Sequence, residues 1–177
     1  DSKCQRGLFP KIAADAPAAS VPADASLLEH LLAQEYLISR NIHGDQAPNR
    51  NLGIRTYFND DGLEIVSRDA AALPVLHWKV RAFGREDLSA ALAPGAVSTD
   101  GVRAEIRQSS LTQIFENRPD GLGVQIRIDS APVGNGPVWI AVDTGNTLKT
   151  GVGDAGICLC NATTPMRLAP FEARAAD

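Results

Sequence analysis

Apolar and polar side chains alternate along several stretches of the chain. Residues 102–108, for example, place Val102, Ala104 and Ile106 on one side and charged residues on the other. Successive side chains of a strand point to opposite faces, so this alternation predicts strands with one buried face. Short apolar or alternating segments predict strands at residues 35–40, 52–58, 63–68, 75–84, 102–108, 111–117, 122–129, 138–143, 157–161 and 167–173.

Turn-forming residues separate most of these segments. Asp61-Gly62 is typical of a tight hairpin, because both residue types tolerate positive φ, and residues 52–68 are therefore predicted to form a β-hairpin. A second turn is predicted at Arg118–Gly121. Val138–Asp143 is apolar almost throughout, which predicts a central strand.

The N-terminal part of the chain has a different pattern. Residues 10–25 are rich in alanine, proline and aspartate, so residues 1–25 are predicted to be an extended leader or linker. Residues 26–34 carry four leucines at helical spacing, which indicates a short amphipathic helix. Because no long helices alternate with the strands, we predict an all-β fold, an antiparallel β-sandwich or jelly-roll, as a single domain over residues 26–177.

Composition excludes several classes of protein. The 177 residues carry a net charge of −4, which gives no global basic field for nucleic acid. Apolar runs are far shorter than the roughly 18 residues of a membrane-spanning helix. Because the sequence begins at Asp1 and not at methionine, we expect that a signal peptide was removed or that the chain was shortened.

The three cysteines leave two alternatives open. Cys158 and Cys160 are two residues apart, so a bond between them would close a strained ring, whereas Cys4 could form a disulfide with either one. The other alternative is that two of the thiols are buried and one is exposed. A structural zinc site needs four ligands, so we predict no metal at these cysteines.

One triplet resembles a catalytic signature. Asp143-Thr144-Gly145 follows an apolar strand, as in aspartic proteases, where one aspartate shares a proton with a second and activates water. A chain with one such triplet would need to form a dimer. The alternative interpretation is a turn at the end of a buried strand.

Other catalytic or metal-binding patterns are missing from the sequence. His30, His43 and His77 are too far apart in sequence for a local metal motif, and the chain has no G-x-S-x-G segment. We therefore predict no catalytic residue and no cofactor. Aspartates in turns could bind calcium or could simply cap those turns: Asp60, Asp61, Asp100, Asp120, Asp143 and Asp154.

Cationic side chains fall on the polar faces of several predicted strands. If neighbouring strands align them, they form a stripe that suits an acidic glycan or another chain; a solvated sheet face is the alternative. Exposed aromatic rings could stack on sugars. The candidate ligand-binding residues are Tyr57, Lys79, Arg81, Arg103 and Trp139.

Several segments together resemble a bacterial domain found at the N-terminus of exported or surface proteins with FG-GAP-type propeller repeats. Residues 46–55 are similar to its APNRAxxLR stretch, residues 78–85 to its W…GxGR strand, and residues 111–123 and 134–142 to two later segments. The repeats themselves do not occur in this sequence. The resemblance implies an exported β-sandwich without an established catalytic role, and it supplies no active-site residues.

These observations favour a non-catalytic module that is secreted or located in the bacterial cell envelope. It would serve attachment, assembly or the binding of a protein or a glycan at the cell surface. Two alternatives remain: an aspartic-type hydrolase that uses Asp143 in a dimer, and a structural subunit that self-associates through a strand edge or the leader.

Overall fold

The computed structural model describes residues 27, 31, 34–68, 74–86 and 88–145, and the backbone of three strands between residues 149 and 168. This part of the chain contains fourteen β-strands. In chain order they are β1 Ser39–Asn41, β2 Gly44–Asn49, β3 Ile54–Asn59, β4 Gly62–Ser67, β5 Pro74–Arg85, β6 Leu88–Ala91, β7 Ala96–Asp100, β8 Arg103–Arg107, β9 Leu111–Arg118, β10 Gly121–Ile128, β11 Val138–Asp143, β12 Lys149–Gly153, β13 Gly156–Cys160 and β14 Pro165–Leu168.

All the strand pairs in the three sheets are antiparallel. The largest sheet has the order β1-β2-β3-β4-β5-β11, with β6 also paired to β5, and the second has the order β10-β9-β8-β7. The third consists of β12, β13 and β14. The predicted all-β class is confirmed, while the face-to-face arrangement of a sandwich stays a prediction.

By its internal contacts the chain divides into two units, Val21–Gly145 and a unit formed by Asp1–Ser20 with Asn146–Asp177. The first unit contains the two larger sheets, and the second contains the β12–β14 meander. The single domain over residues 26–177 remains a prediction.

A shared hydrophobic core joins the two larger sheets. Val80 and Phe83 of β5 are buried with Leu111 of β9, and side chains of β10 and β11 pack against them. The rings of Phe58 and Phe115 lie 5.7 Å apart between β3 and β9. Apolar burial of this kind is the main favourable contribution to folding.

The six strands predicted between residues 52 and 129 are confirmed, as are those predicted at residues 138–143 and 157–161. Four strands were not predicted: β2, β6, β7 and β12. The predicted strand at residues 35–40 is largely wrong, because β1 begins only at Ser39. The prediction of a central position for β11 is also wrong. Within the described sheets it pairs with β5 alone, at the end of the largest sheet. Its residues Ile140 and Val142 pack against the core formed by Val80, Phe83 and Leu111.

The structure tests only part of what was predicted for the N-terminal residues. Leu27, Leu31 and Gln34 are helical, in agreement with the predicted helix at those positions. The leader over residues 1–25 and the remaining residues of the helix lie outside the described residues. In the described part of the chain, no helix has the length and hydropathy needed to span a membrane.

Candidate functional site

A polar cleft of about 280 Å³ opens on the largest sheet, and we name it the β5 cleft. Residues from the β3–β4 hairpin, from β5 and from the end of β11 surround it. Its lining consists of Asn59, Asp61, Leu63, His77, Trp78, Lys79, Arg81, Asp143 and Gly145.

A β-bulge in β5 places Arg81 beside this cleft. In the ladder with β11, Ala82 pairs with Ala141 and Val80 pairs with Val142, so Arg81 is the extra residue. The Arg81 carbonyl accepts a hydrogen bond from Leu92 N–H (3.1 Å), which fixes the bulged backbone. Bulges of this kind redirect a side chain, and they are frequent near functional sites.

Gly145, which follows the end of β11, lines one end of the cleft. Gly145 has a φ of +73°, and a Cβ atom built there would lie 3.2 Å from Cδ2 of His77. Glycine therefore lets the chain turn and approach the imidazole closely. The Gly145 N–H donates to Oδ1 of Asp143 (2.9 Å), in the turn that the sequence suggested as one interpretation of the Asp-Thr-Gly triplet.

The lysine and the arginine of the cleft each face an aspartate. Arg81 donates from Nε (3.2 Å) and Nη2 (2.7 Å) to Oδ2 of Asp143. Lys79 forms an ion pair with Asp61. His77 Nε2 lies 3.7 Å from a carboxylate oxygen of Glu64 on the neighbouring strand.

Hydrogen bonds hold Asp143 in its ionised form. The Arg81 guanidinium and then the Gly145 N–H lower the pKa of the Asp143 carboxyl, and the positive charge of Arg81 adds to this effect. A carboxyl that donates a proton near neutral pH needs a raised pKa. Asp143 is therefore suited to accepting hydrogen bonds and not to general-acid chemistry.

The cleft contains a second carboxylate, Asp61 of the same chain, whereas the hydrolase alternative takes its second aspartate from another copy of the chain. However, Asp61 faces Lys79 and Asp143 faces Arg81, so each carboxylate has a cation of its own. In an aspartic-protease pair the two carboxyls share one proton because two like charges about 3 Å apart cannot both ionise. This arrangement favours ligand recognition over proton transfer.

The structure brings together two of the five residues predicted to bind a ligand, Lys79 and Arg81. Trp139 lies on β11, where strand alternation places it on the same face as Asp143, and its indole N–H donates to the Glu86 carbonyl. Tyr57 lies outside the cleft lining, with its hydroxyl 3.4 Å from Nη1 of Arg55.

Arg103 lies on β8 of the second sheet and donates to Glu105 two residues away. The predicted cationic stripe is therefore divided between two sheets. Each of these three cations also has a carboxylate partner: Asp61 for Lys79, Asp143 for Arg81 and Glu105 for Arg103. Among the described residues, they therefore do not form a continuous positive surface.

Sequence reasoning gave Asn59 and His77 no role in a binding site, and it named Asp61 only as one of the turn aspartates. The proximity of Asp143 to Lys79 follows from pairing β11 with β5, which the sequence pattern does not specify. Asn59 accepts a hydrogen bond from the Asp61 N–H (3.2 Å), a polar turn contact that aspartate-rich hairpins commonly make.

The structure tests few of the predictions about metal binding and the cysteines. Within the described ranges, no group of three or more histidine, cysteine, aspartate or glutamate residues is placed to hold a metal ion. Calcium binding at the turn aspartates stays a prediction. Cys4 and the side chains of Cys158 and Cys160 lie outside the described residues.

Comparison with known proteins adds no assignment: no family model, curated protein or solved structure matches this chain.

Proposed function

We propose that this chain is a non-catalytic β module that binds a glycan at the β5 cleft. The observation that carries the proposal is the Arg81–Asp143 pair, whose two side chains remain 54% and 44% exposed at the rim of a polar cleft. Exposed, mutually oriented donors and acceptors bind a ligand without a large cost of reorganisation.

The cellular location is part of the same proposal. The similarity of residues 46–55 and the later segments to an exported bacterial domain supports a module that is secreted or attached to the cell envelope, with a sandwich or jelly-roll arrangement of its sheets. The module would attach to a surface polysaccharide or take part in assembly on the cell surface.

A glycan array tests the proposal directly. The purified chain is expected to bind a subset of immobilised oligosaccharides, and Arg81→Gln is expected to weaken that binding by about tenfold, the equivalent of one charge-assisted hydrogen bond. Arg118→Gln is a matched control, because Arg118 and its partner Glu116 are 54% and 45% exposed on the second sheet. A chain that binds no glycan, or that binds equally well after Arg81→Gln, would contradict the proposal.

The presence of two carboxylates in the cleft keeps the hydrolase alternative open to experiment. Casein can be incubated with the chain and with Asp143→Asn across acidic and neutral pH. The proposed binding role predicts no cleavage that depends on Asp143. Cleavage that disappears in Asp143→Asn would replace the binding module with an enzyme.

A further inference from the structure

We infer that the β5 cleft recognises an uncharged, hydroxyl-rich sugar unit and not an acidic one. This inference rests on the proposed function, since it names the class of glycan that the site would bind. It also narrows the sequence-based hypothesis, in which an aligned row of cations would attract an acidic glycan.

Charge balance in the cleft is the first argument. Lys79 and Arg81 are compensated by Asp61 and Asp143, so the formal charges of these four lining residues cancel. An incoming carboxylate or sulfate would have to compete with an aspartate for each cation. It would also approach a second negative charge within a few ångströms, which is unfavourable in a partly desolvated site.

The remaining hydrogen-bonding capacity is the second argument. A guanidinium has five N–H groups. Arg81 directs Nε–H and one Nη2–H at Asp143, so among the described residues the rest of its N–H groups are left for a ligand. Asp143 accepts from Arg81 and Gly145 and retains lone-pair capacity, and Asn59 retains its amide N–H groups after accepting from the Asp61 N–H.

A mixture of donors and acceptors suits the hydroxyl group. Each sugar hydroxyl donates one hydrogen bond and accepts others, so neighbouring hydroxyls can satisfy Arg81 and Asp143 at the same time. A carboxylate or sulfate only accepts, so it can use the free N–H groups of Arg81 but offers no hydrogen to the remaining lone pairs of Asp143. A ligand that both donates and accepts therefore matches the cleft better than one that only accepts.

Size is the third argument. The cleft volume of about 280 Å³ lies just below the range of small-molecule sites, which is roughly 300–1,000 Å³. The cleft can therefore hold one sugar unit of a longer chain. The buried side chains of Leu63 and Trp78, each 3% exposed, belong to its lining and make its inner wall rigid.

Matched oligosaccharides test the inference. Calorimetric titration would compare oligomers of glucose, galactose and mannose with oligomers of the corresponding uronic acids, at about 0.05 M and about 0.5 M NaCl, because salt screens charge-driven binding. We expect at least one neutral oligomer to bind about tenfold more tightly than its acidic counterpart. We also expect its affinity to change less than about twofold between the two salt concentrations.

Asp143→Asn provides a second measurement. If the ligand is neutral, this substitution weakens binding, because the cleft loses a strong acceptor and the fixed orientation of Arg81. If the ligand is acidic, the same substitution strengthens binding, because it removes a competing charge. Glu116→Gln, at the matched pair on the second sheet, is expected to change neither affinity.

The possible outcomes separate the two proposals. A preference for uronic acids, a steep loss of affinity with salt, or tighter binding by Asp143→Asn would overturn the neutral-sugar inference and leave the glycan-binding module standing. Failure to bind any oligosaccharide of this panel would overturn the neutral-sugar inference, and failure to bind any glycan on the array would overturn the glycan-binding module as well.

Discussion

Gly62 shows that a correct turn prediction can rest on the wrong property of a residue. The hairpin between β3 and β4 forms as predicted, but its two-residue loop is Asp60-Asp61, and Gly62 is the first residue of β4. Gly62 has no positive φ. A Cβ atom at this position would instead lie 2.0 Å from the Trp78 carbonyl oxygen on β5. The glycine is therefore required by close approach of two strands.

Gly62→Ala is expected to destabilise the protein by about 1–3 kcal/mol or more, because the added methyl group forces backbone apart, as in other overpacked sites. Chemical denaturation monitored by tryptophan fluorescence would measure this loss. Gly121→Ala is the control: a Cβ atom there meets nothing within 4 Å, and the unfolding free energy should stay near that of the parent. Equal effects of the two substitutions would contradict the close-approach explanation.

At the scale of single elements, strands with polar residues at inward positions escaped prediction. β2 alternates in burial as a strand should, but its buried positions hold Asp45, Ala47 and Asn49. Asp45 is bound by Arg40, and Asn49 donates to the Arg118 carbonyl (2.7 Å). A search for apolar alternation cannot detect a strand whose inward side chains are polar and satisfied by distant partners.

β9 shows the same property in a strand that was predicted. Six of its eight residues are buried; Glu116 is partly exposed and the terminal Arg118 is exposed. Its buried polar side chains connect the sheets. Gln113 accepts from the Trp78 indole N–H (3.1 Å), and Asn117 donates to the carbonyls of Tyr36 (3.0 Å) and Pro48 (2.8 Å).

Asn117→Leu is expected to lower the unfolding free energy by at least about 2 kcal/mol, because each lost hydrogen bond contributes about 1 kcal/mol and the two buried carbonyls lose their partner. Urea denaturation would measure the change. Asn135→Leu makes the same chemical substitution at an exposed loop position and serves as the control. A loss no larger than that of the control would show that this amide does not stabilise the contact between β2 and β9.

The candidate site was only partly predictable, because it depends on which strands pair with one another. Alternation along β5 correctly placed His77, Lys79 and Arg81 on the outward face. The bulge that makes Arg81 an extra residue has no signature in the local sequence, and it depends on how β11 pairs with β5. Which acidic residues meet these cations is a property of strand order and not of hydrophobic pattern.

At the scale of the whole molecule, charge is arranged in short local pairs. Arg103–Glu105, Arg118–Glu116 and Arg127–Asp129 each join residues two apart, which lie on the same face of a strand. Carboxylates therefore alternate with cations along these strands, and each of the three pairs is neutral as a whole.

These pairs make the stability of the fold sensitive to acid. The Arg118 hydrogen bond lowers the pKa of Glu116, and the hydrogen bonds from Thr112 and then Arg127 lower the pKa of Asp129. A carboxyl whose pKa is lower in the folded chain than in the unfolded chain stabilises the fold at pH values above its unfolded pKa. That contribution is lost as the pH falls through the folded value.

We therefore expect the unfolding free energy to decrease between about pH 5 and about pH 2, and part of this decrease to depend on Asp129. Asp129→Asn should lower stability at neutral pH and flatten the dependence on acid, since its amide does not titrate. Thr112→Val keeps the carboxylate but removes its 2.6 Å hydrogen bond, so it should flatten the dependence less. Urea denaturation at several pH values measures both effects. An acid dependence that is as steep in Asp129→Asn as in the parent chain would show that Asp129 contributes little, and that the acid sensitivity arises at other carboxyls.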